Sequence, residues 1–216
     1  MGIPGADGGV IVIVGLGNPG IEYQFTPHNA GFLAIDRLAE RCGVTVGNRR
    51  CKALTAAAQI GGRRVLLAKP ETFMNLSGLA VQALLAETGG DATRLIVMYD
   101  DVAFPLGEIR VRERGGPGGH NGVKSICGAL GTEEWLRIRI GIAPQNEAAA
   151  ERIRQERRDY VLIPFRKAEL AVLDQALDEA AAAVEMMLTE GTAAAMNRFN
   201  RRLDPEKEQR AGTKGD

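Results

Sequence analysis

Serine and cysteine are both scarce in this chain. Ser77, in Leu76-Ser77-Gly78, and Ser125, in Lys124-Ser125-Ile126, are the only two serines, and neither lies in a G-x-S-x-G elbow. That excludes the serine-nucleophile hydrolase pattern. Cys42, Cys51 and Cys127 are odd in number and form no C-x-x-C pair, so neither a disulfide framework nor a zinc site is indicated. They read as small apolar packing residues. Net charge is missing as well, with 27 Lys plus Arg against 27 Asp plus Glu. No global field draws the chain to nucleic acid, although a local basic face can act when the total is balanced. No apolar run approaches the length that spans a bilayer. Residues 1–9 lack the basic and apolar regions of a secretory signal. Ala6 stands where a myristoylation site after Gly2 needs Ser or Thr. The expectation is a cytoplasmic protein with no membrane partner.

Histidine is the scarcity that narrows the chemistry. There are two, each followed by asparagine: His28-Asn29 in Thr26-Pro27-His28-Asn29-Ala30-Gly31, and His120-Asn121 in Gly118-Gly119-His120-Asn121-Gly122. Histidine is the side chain best suited to move a proton near neutral pH, so acid-base chemistry in this chain centres on one of these two.

What is abundant is apolar periodicity, at 45% hydrophobic content over 216 residues. Val10–Val14 is a β-branched run ending at Gly15, the mark of a strand buried on both faces. Phe32, Ile35, Leu38, Ala39 and Cys42 recur at helical spacing and predict a helix over Asn29–Cys42. Further strands are predicted at Ala53–Ile60, Arg64–Ala68, Leu95–Tyr99, Gly107–Arg112 and Leu136–Ile142, and helices at Ser77–Glu87 and Gly122–Leu130. Pro164 is expected to open a long helix with the stripe Leu170, Leu173, Leu177, Val184 and Leu188, followed by a shorter one at Ala193–Leu203. This alternation implies an α/β class: a single domain with a mixed, largely parallel central sheet between helices. The expected division is a flexible extension at 1–9, one catalytic domain at 10–203 and a disordered tail at 204–216.

Gly15-Leu16-Gly17-Asn18-Pro19-Gly20 formally matches the G-x-G-x-x-G dinucleotide fingerprint. In that motif the helix begins within the glycines; here Pro19, Tyr23, Phe25 and Pro27 delay it by about two turns. Asp36, the acid about 20 residues on, falls inside a predicted helix and not at a strand end. With no serine or cysteine nucleophile indicated, water attack assisted by histidine is the favoured chemistry. Ligands of open α/β sheets gather at the carboxyl ends of strands. Asn18, Asn75, Asp100 and His120-Asn121 all sit at such ends and could converge on His28. A carboxylate such as Asp100 can fix the imidazole tautomer, and side-chain amides can donate to an oxyanion. Asn18, His120 and Asn121 could equally serve to shape loops. Asp100-Asp101 could be a metal site or a cap, but no second acidic or histidine cluster lies nearby in sequence, so no metal is expected.

Four segments taken together resemble bacterial-type peptidyl-tRNA hydrolase. They are Gly15–Gly20 through Tyr23 to Phe32; Lys69-Pro70 to Thr72–Gly78; Asp100-Asp101 to Pro105-Leu106-Gly107; and Gly118–Gly122. Arg137–Ile142 fits as well. The resemblance implies hydrolysis of the ester joining a peptide, or an N-blocked aminoacyl group, to the terminal ribose of tRNA. It implies a monomer with no metal or cofactor. By motif match, His28 takes the role of general base and Asp100 keeps it basic. Asn18 matches the position that distinguishes blocked from free aminoacyl-tRNA. Tyr23, Phe73, Asn75 and Asn121 match substrate contacts, with Met74 and His120 lining the same cleft. Where the family often carries a second acid, this chain has Ala103 and Phe104, and Pro117 stands in the glycine loop.

Residues 109–139 hold six basic side chains against Glu113, Glu133 and Glu134. Arg110, Arg112 and Arg114 alternate on a strand and so point to one side. A phosphate-binding face is expected from Arg110, Arg112, Lys124 and Arg139, with Arg114 and Arg137 in the same run and Arg152, Arg154, Arg157 and Arg158 as extensions. Phosphate and ribose contacts suit an enzyme that accepts many tRNAs. The alternative is a non-catalytic RNA-binding relative on the same fold.

Overall fold

The computed structural model describes residues 8–144, 146, 153 and 157–200. The 1–7 part of the expected extension, residues 201–216, Arg152 and Arg154, and the side chains of Arg157 and Arg158 lie outside the described residues.

Seven strands form one sheet: β1 Ile11–Gly15, β2 Asn48–Arg50, β3 Ala53–Ile60, β4 Arg63–Pro70, β5 Leu95–Pro105, β6 Ile109–Arg112 and β7 Leu136–Ala143. Their order is β2-β3-β4-β1-β5-β7-β6. The four central strands, β4, β1, β5 and β7, are parallel, and antiparallel partners extend both edges. The helices are α1 Ala30–Arg41, α2 Ser77–Thr88, α3 Asn121–Leu130, α4 Lys167–Thr189 and α5 Thr192–Phe199, with a single helical turn at Arg157–Tyr160. No helix among the described residues is long and apolar enough to cross a membrane.

All five residues of β1 are buried, as an unbroken β-branched run requires. Alternate residues serve opposite layers. Ile11 and Ile13 join the core beneath α1 and α4, while Val12 and Val14 join the one beneath α2 and α3. Burying each such side chain contributes about 2 kcal/mol.

Two expectations are corrected. The long helix does not start at Pro164. Phe165 is tied back by its N–H to the Phe25 carbonyl at 2.9 Å, and the helix begins at Lys167, where the Glu169 carboxylate accepts from the Arg166 N–H. Strand β2 is an addition. It is short and polar, and it turns into β3 through Cys51 and Lys52, which have φ of 49° and 58°. Two successive left-handed residues make the turn that suits a two-residue hairpin, but without glycine or asparagine they leave little trace in sequence.

The start of α1 is pressed against the end of β1 and the body of β5. A Cβ on Gly31 would lie 2.3 Å from the Met98 carbonyl oxygen and 2.4 Å from the Leu16 nitrogen. Only glycine permits this approach. It brings the residues just before α1, among them His28, to the carboxyl edge of the parallel strands.

Candidate active site

Asn18 follows β1 and is held from three directions. Its backbone N–H donates to Asn29 Oδ1 at 2.9 Å, its carbonyl accepts from Asn29 Nδ2 at 3.0 Å, and its own Oδ1 accepts from the Met74 N–H at 2.8 Å. With the side-chain oxygen committed, the capacity left to Asn18 is its Nδ2 donor. The same bond brings the turn carrying Phe73 and Asn75, both exposed, against Asn18. Tyr23, half-buried, lies on the turn between Asn18 and His28.

His28 sits in a short helical turn, Pro27–Asn29, that Pro27 starts with its fixed φ. Its backbone N–H donates to the Val161 carbonyl at 2.9 Å, so the segment before α4 braces it from behind. Tyr160 secures that segment by donating its hydroxyl to the Ile142 carbonyl at 2.6 Å. Burial raises the Tyr160 phenol to about 12, so the hydroxyl stays protonated and keeps donating.

The His28 ring meets Asp100 of β5, with Nδ1 3.0 Å from Oδ1. The same carboxylate oxygen meets His120 Nε2 at 2.9 Å. The two imidazoles pack at 4.9 Å between centroids, and Tyr99 stands edge-on to His120 at 5.1 Å. Asp100 is fully buried, and its Oδ2 has no partner among the described residues. Burial pushes the carboxyl up, but His28 and His120 outweigh it and hold the group far below the usual carboxylate range.

The tautomer of His120 follows from its other nitrogen. Nδ1 accepts from the Gly122 and Val123 backbone N–H groups at 3.1 and 3.3 Å, so His120 caps α3 with a ring nitrogen. That nitrogen therefore carries a lone pair, and Nε2 carries the hydrogen given to Asp100. His28, Asp100 and His120 lie close enough to suggest a metal cluster. A metal would need a lone pair on His120 Nε2, which this tautomer does not offer, so the chemistry of the donor set suits proton transfer better than ligation. If Nδ1 of His28 likewise donates to Asp100, its Nε2 is left as an acceptor.

His120 and Met74, expected to line the cleft, are 2% and 5% exposed, against 8% for both His28 and Asn18. His120 stands behind His28 as the second donor to Asp100, while Asn121 beside it is exposed. Asn29 is the residue that sequence reasoning passed over, although it follows one of the two histidines. Its role depends on a contact across the turn that spacing does not reveal.

The basic face divides. Arg110 is buried, paired with Glu108, and lies 5.2 Å from the Phe104 ring, so it is corrected from phosphate contact to packed side chain. Arg137 is also buried, over Trp135 at 3.6 Å, and Arg114 pairs with Glu134 at 3.6 Å. Arg139 is half-buried, bound to Asp101 at 2.6 Å and stacked on Phe104 at 4.6 Å. The aromatic ring thus gathers two arginines at the position where the resembled family often has an acid. Arg112 and Lys124 have no carboxylate partner among the described residues, and burial together with Arg139 and Arg110 lowers the Arg112 guanidinium.

Comparison with known proteins gives a consistent result. A family model described as peptidyl-tRNA hydrolase matches residues 12–209. A peptidyl-tRNA hydrolase of Acidobacterium capsulatum is 57% identical over 194 residues, covering 89% of this chain and 96% of that one. One from Koribacter versatilis is 58% identical over 195 residues, covering 90% and 94%. The crystal structure of peptidyl-tRNA hydrolase from Acinetobacter baumannii superposes with a TM-score of 0.78 at 32% identity, covering 88% of this chain and 94% of that one.

Proposed function

The chain belongs to the peptidyl-tRNA hydrolase family, and from that premise we propose that His28 is the base that activates water for its reaction. The reaction is hydrolysis of the ester between a peptide, or an N-blocked aminoacyl group, and the 3′-terminal ribose of tRNA. It frees tRNA for reuse in translation. Nothing in the comparisons favours the non-catalytic RNA-binding alternative.

The observation that carries the assignment is the 3.0 Å contact between His28 Nδ1 and Asp100 Oδ1, which directs the other ring nitrogen away from the carboxylate. Water gives a proton to His28 Nε2 as its oxygen attacks the ester carbonyl. The imidazolium so formed is stabilised by Asp100, kept ionised by its two histidine partners. The Asn18 Nδ2 donates to the oxyanion, a reading supported by the bond from the Met74 N–H that occupies the amide oxygen. When the tetrahedral intermediate collapses, the ribose oxygen leaves and takes the proton back from His28. Asn75, Asn121, Phe73 and Tyr23 hold the substrate around the ester, with Arg112, Lys124 and Arg139 on the RNA side. His120 holds Asp100 in place. The unit spanning residues 10–203 works as a cytoplasmic monomer without metal or cofactor.

Replacing His28 with Ala tests the assignment. General-base catalysis supplies on the order of 10² to 10⁴ in rate. Release of tRNA from N-acetylaminoacyl-tRNA is expected to fall by about that factor, with affinity for deacylated tRNA kept. Turnover at the wild-type rate would remove His28 from the mechanism.

A further inference from the structure

A groove of about 410 Å³ opens beside Asn18, on the side away from Arg112 and Arg139, and apart from Asn18 and Asn29 its lining has no role in the site described above. Its apolar walls come from Ile21, Phe32, Leu54 and Pro70, and Ile21 is 83% exposed. Ile21 alone would be an ordinary surface residue, but with Phe32, Leu54 and Pro70 it forms one apolar concave surface of the kind that takes a ligand. The charged residues of the lining are Asp36, Lys69 and Glu71. Lys69 pairs with Asp36 at 2.6 Å and Glu71 with Arg49 at 3.2 Å, so every charge of the lining is matched.

The strand order relates this groove to the rest of the site. Leu54, Pro70 and Asn18 belong to β3, β4 and the loop after β1, whereas Asp100 lies on β5 and Arg139 and Arg112 lie on β7 and β6. The His28–Asp100 pair therefore stands between an apolar groove whose charges are paired and a flank that carries Arg112 and Arg139. The substrate has the same division, a polyanionic RNA on one side of its ester and a peptide on the other. RNA phosphates need available cations, and Lys69 and the adjoining Arg49 are engaged by Asp36 and Glu71.

From this we infer that the groove is a subsite for the peptide, taking apolar side chains just N-terminal to the ester-linked residue. The inference rests on the hydrolase reading above and adds specificity to it. Asn18 marks the junction, since it borders both the groove and the proposed reacting centre. Its volume is at the small end of ligand pockets, enough for a side chain or two and too small for an extended chain.

The test is a series of N-acetyl-dipeptidyl-tRNAs on one tRNA, with the ester-linked residue constant and the penultimate residue Leu, Phe, Gln or Asp. The wild type is expected to favour Leu and Phe over Asp by about tenfold in kcat/KM, the discrimination typical of small differences in an apolar pocket. In Ile21→Gln and Leu54→Gln that ratio should fall toward one, with inhibition by deacylated tRNA unchanged. Ile21 is so exposed that its replacement does not threaten folding. A flat series in the wild type, or an equal loss on every substrate in the variants, overturns the subsite. Weaker inhibition by deacylated tRNA in the variants assigns the groove to RNA and overturns it too. No turnover of any member would overturn the hydrolase reading and the groove with it.

Discussion

Asn29 and Asn18 hold each other through two reciprocal hydrogen bonds, amide oxygen to backbone N–H at 2.9 Å and amide nitrogen to backbone carbonyl at 3.0 Å. One side chain thus satisfies both backbone groups of Asn18, and the residue before Asn29 is His28. Both proposed reacting groups are positioned by the same amide.

Replacing Asn29 with Ala leaves a buried N–H and a buried C=O without partners, at about 1–3 kcal/mol each. The expected outcome is a lower melting temperature and a fall in kcat larger than any change in KM, because Asn18 and His28 lose their relative position. Calorimetry and steady-state kinetics on N-acetylaminoacyl-tRNA measure both. Unchanged kcat in a destabilised variant would confine Asn29 to folding.

His120 combines two functions that can be separated. Asparagine is a good helix cap but too short to reach Asp100 from the same position. His120→Asn is therefore expected to keep most of the stability and lose about tenfold in kcat, on the premise that Asp100 needs both donors. His120→Ala loses the cap as well, at about 1 kcal/mol more. If both variants lose stability equally and activity not at all, the contact to Asp100 is incidental.

Asp100 makes acid stability site-specific. Its folded-state value is depressed by His28 and His120, so its stabilising effect is fully present above the unfolded carboxylate value near 4. The effect is lost as pH falls through that value toward the folded one. The stability gap between wild type and Asp100→Asn should accordingly be constant near neutrality and narrow below about pH 4. Denaturant unfolding at stepped pH measures the gap, and one that widened on acidification would contradict the coupling.

Elements with strong periodicity are legible in the sequence, and so are residues whose chemistry is rare. β1 and α1 follow from apolar spacing, and His28 stands out because there are so few histidines. The pairing of His28 with Asp100 spans 72 residues, and only the convergence of strand ends suggested it. Sequence does not reveal the second function of His120, since capping by a ring nitrogen depends on how the glycine loop enters α3. The burial of Arg110 is missed for a similar reason. Alternation placed Arg110 and Arg112 on one face correctly, but whether that face is open depends on Phe104 and Glu108 folding over it.

That division of the basic face is measurable through salt. A side chain that contacts phosphate contributes close to one unit to the slope of log affinity against log salt, and a packed one contributes nothing. Arg112→Gln should lower the slope of tRNA binding by about one and barely alter stability. Arg110→Gln should leave the slope alone and cost about 3 kcal/mol, because it strands the Glu108 carboxylate in a nearly buried position. The two residues are neighbours on one strand face, so their long-range fields are nearly the same. A difference in slope between the variants thus reports direct contact, and equal slopes would mean that the RNA follows the general field and touches neither.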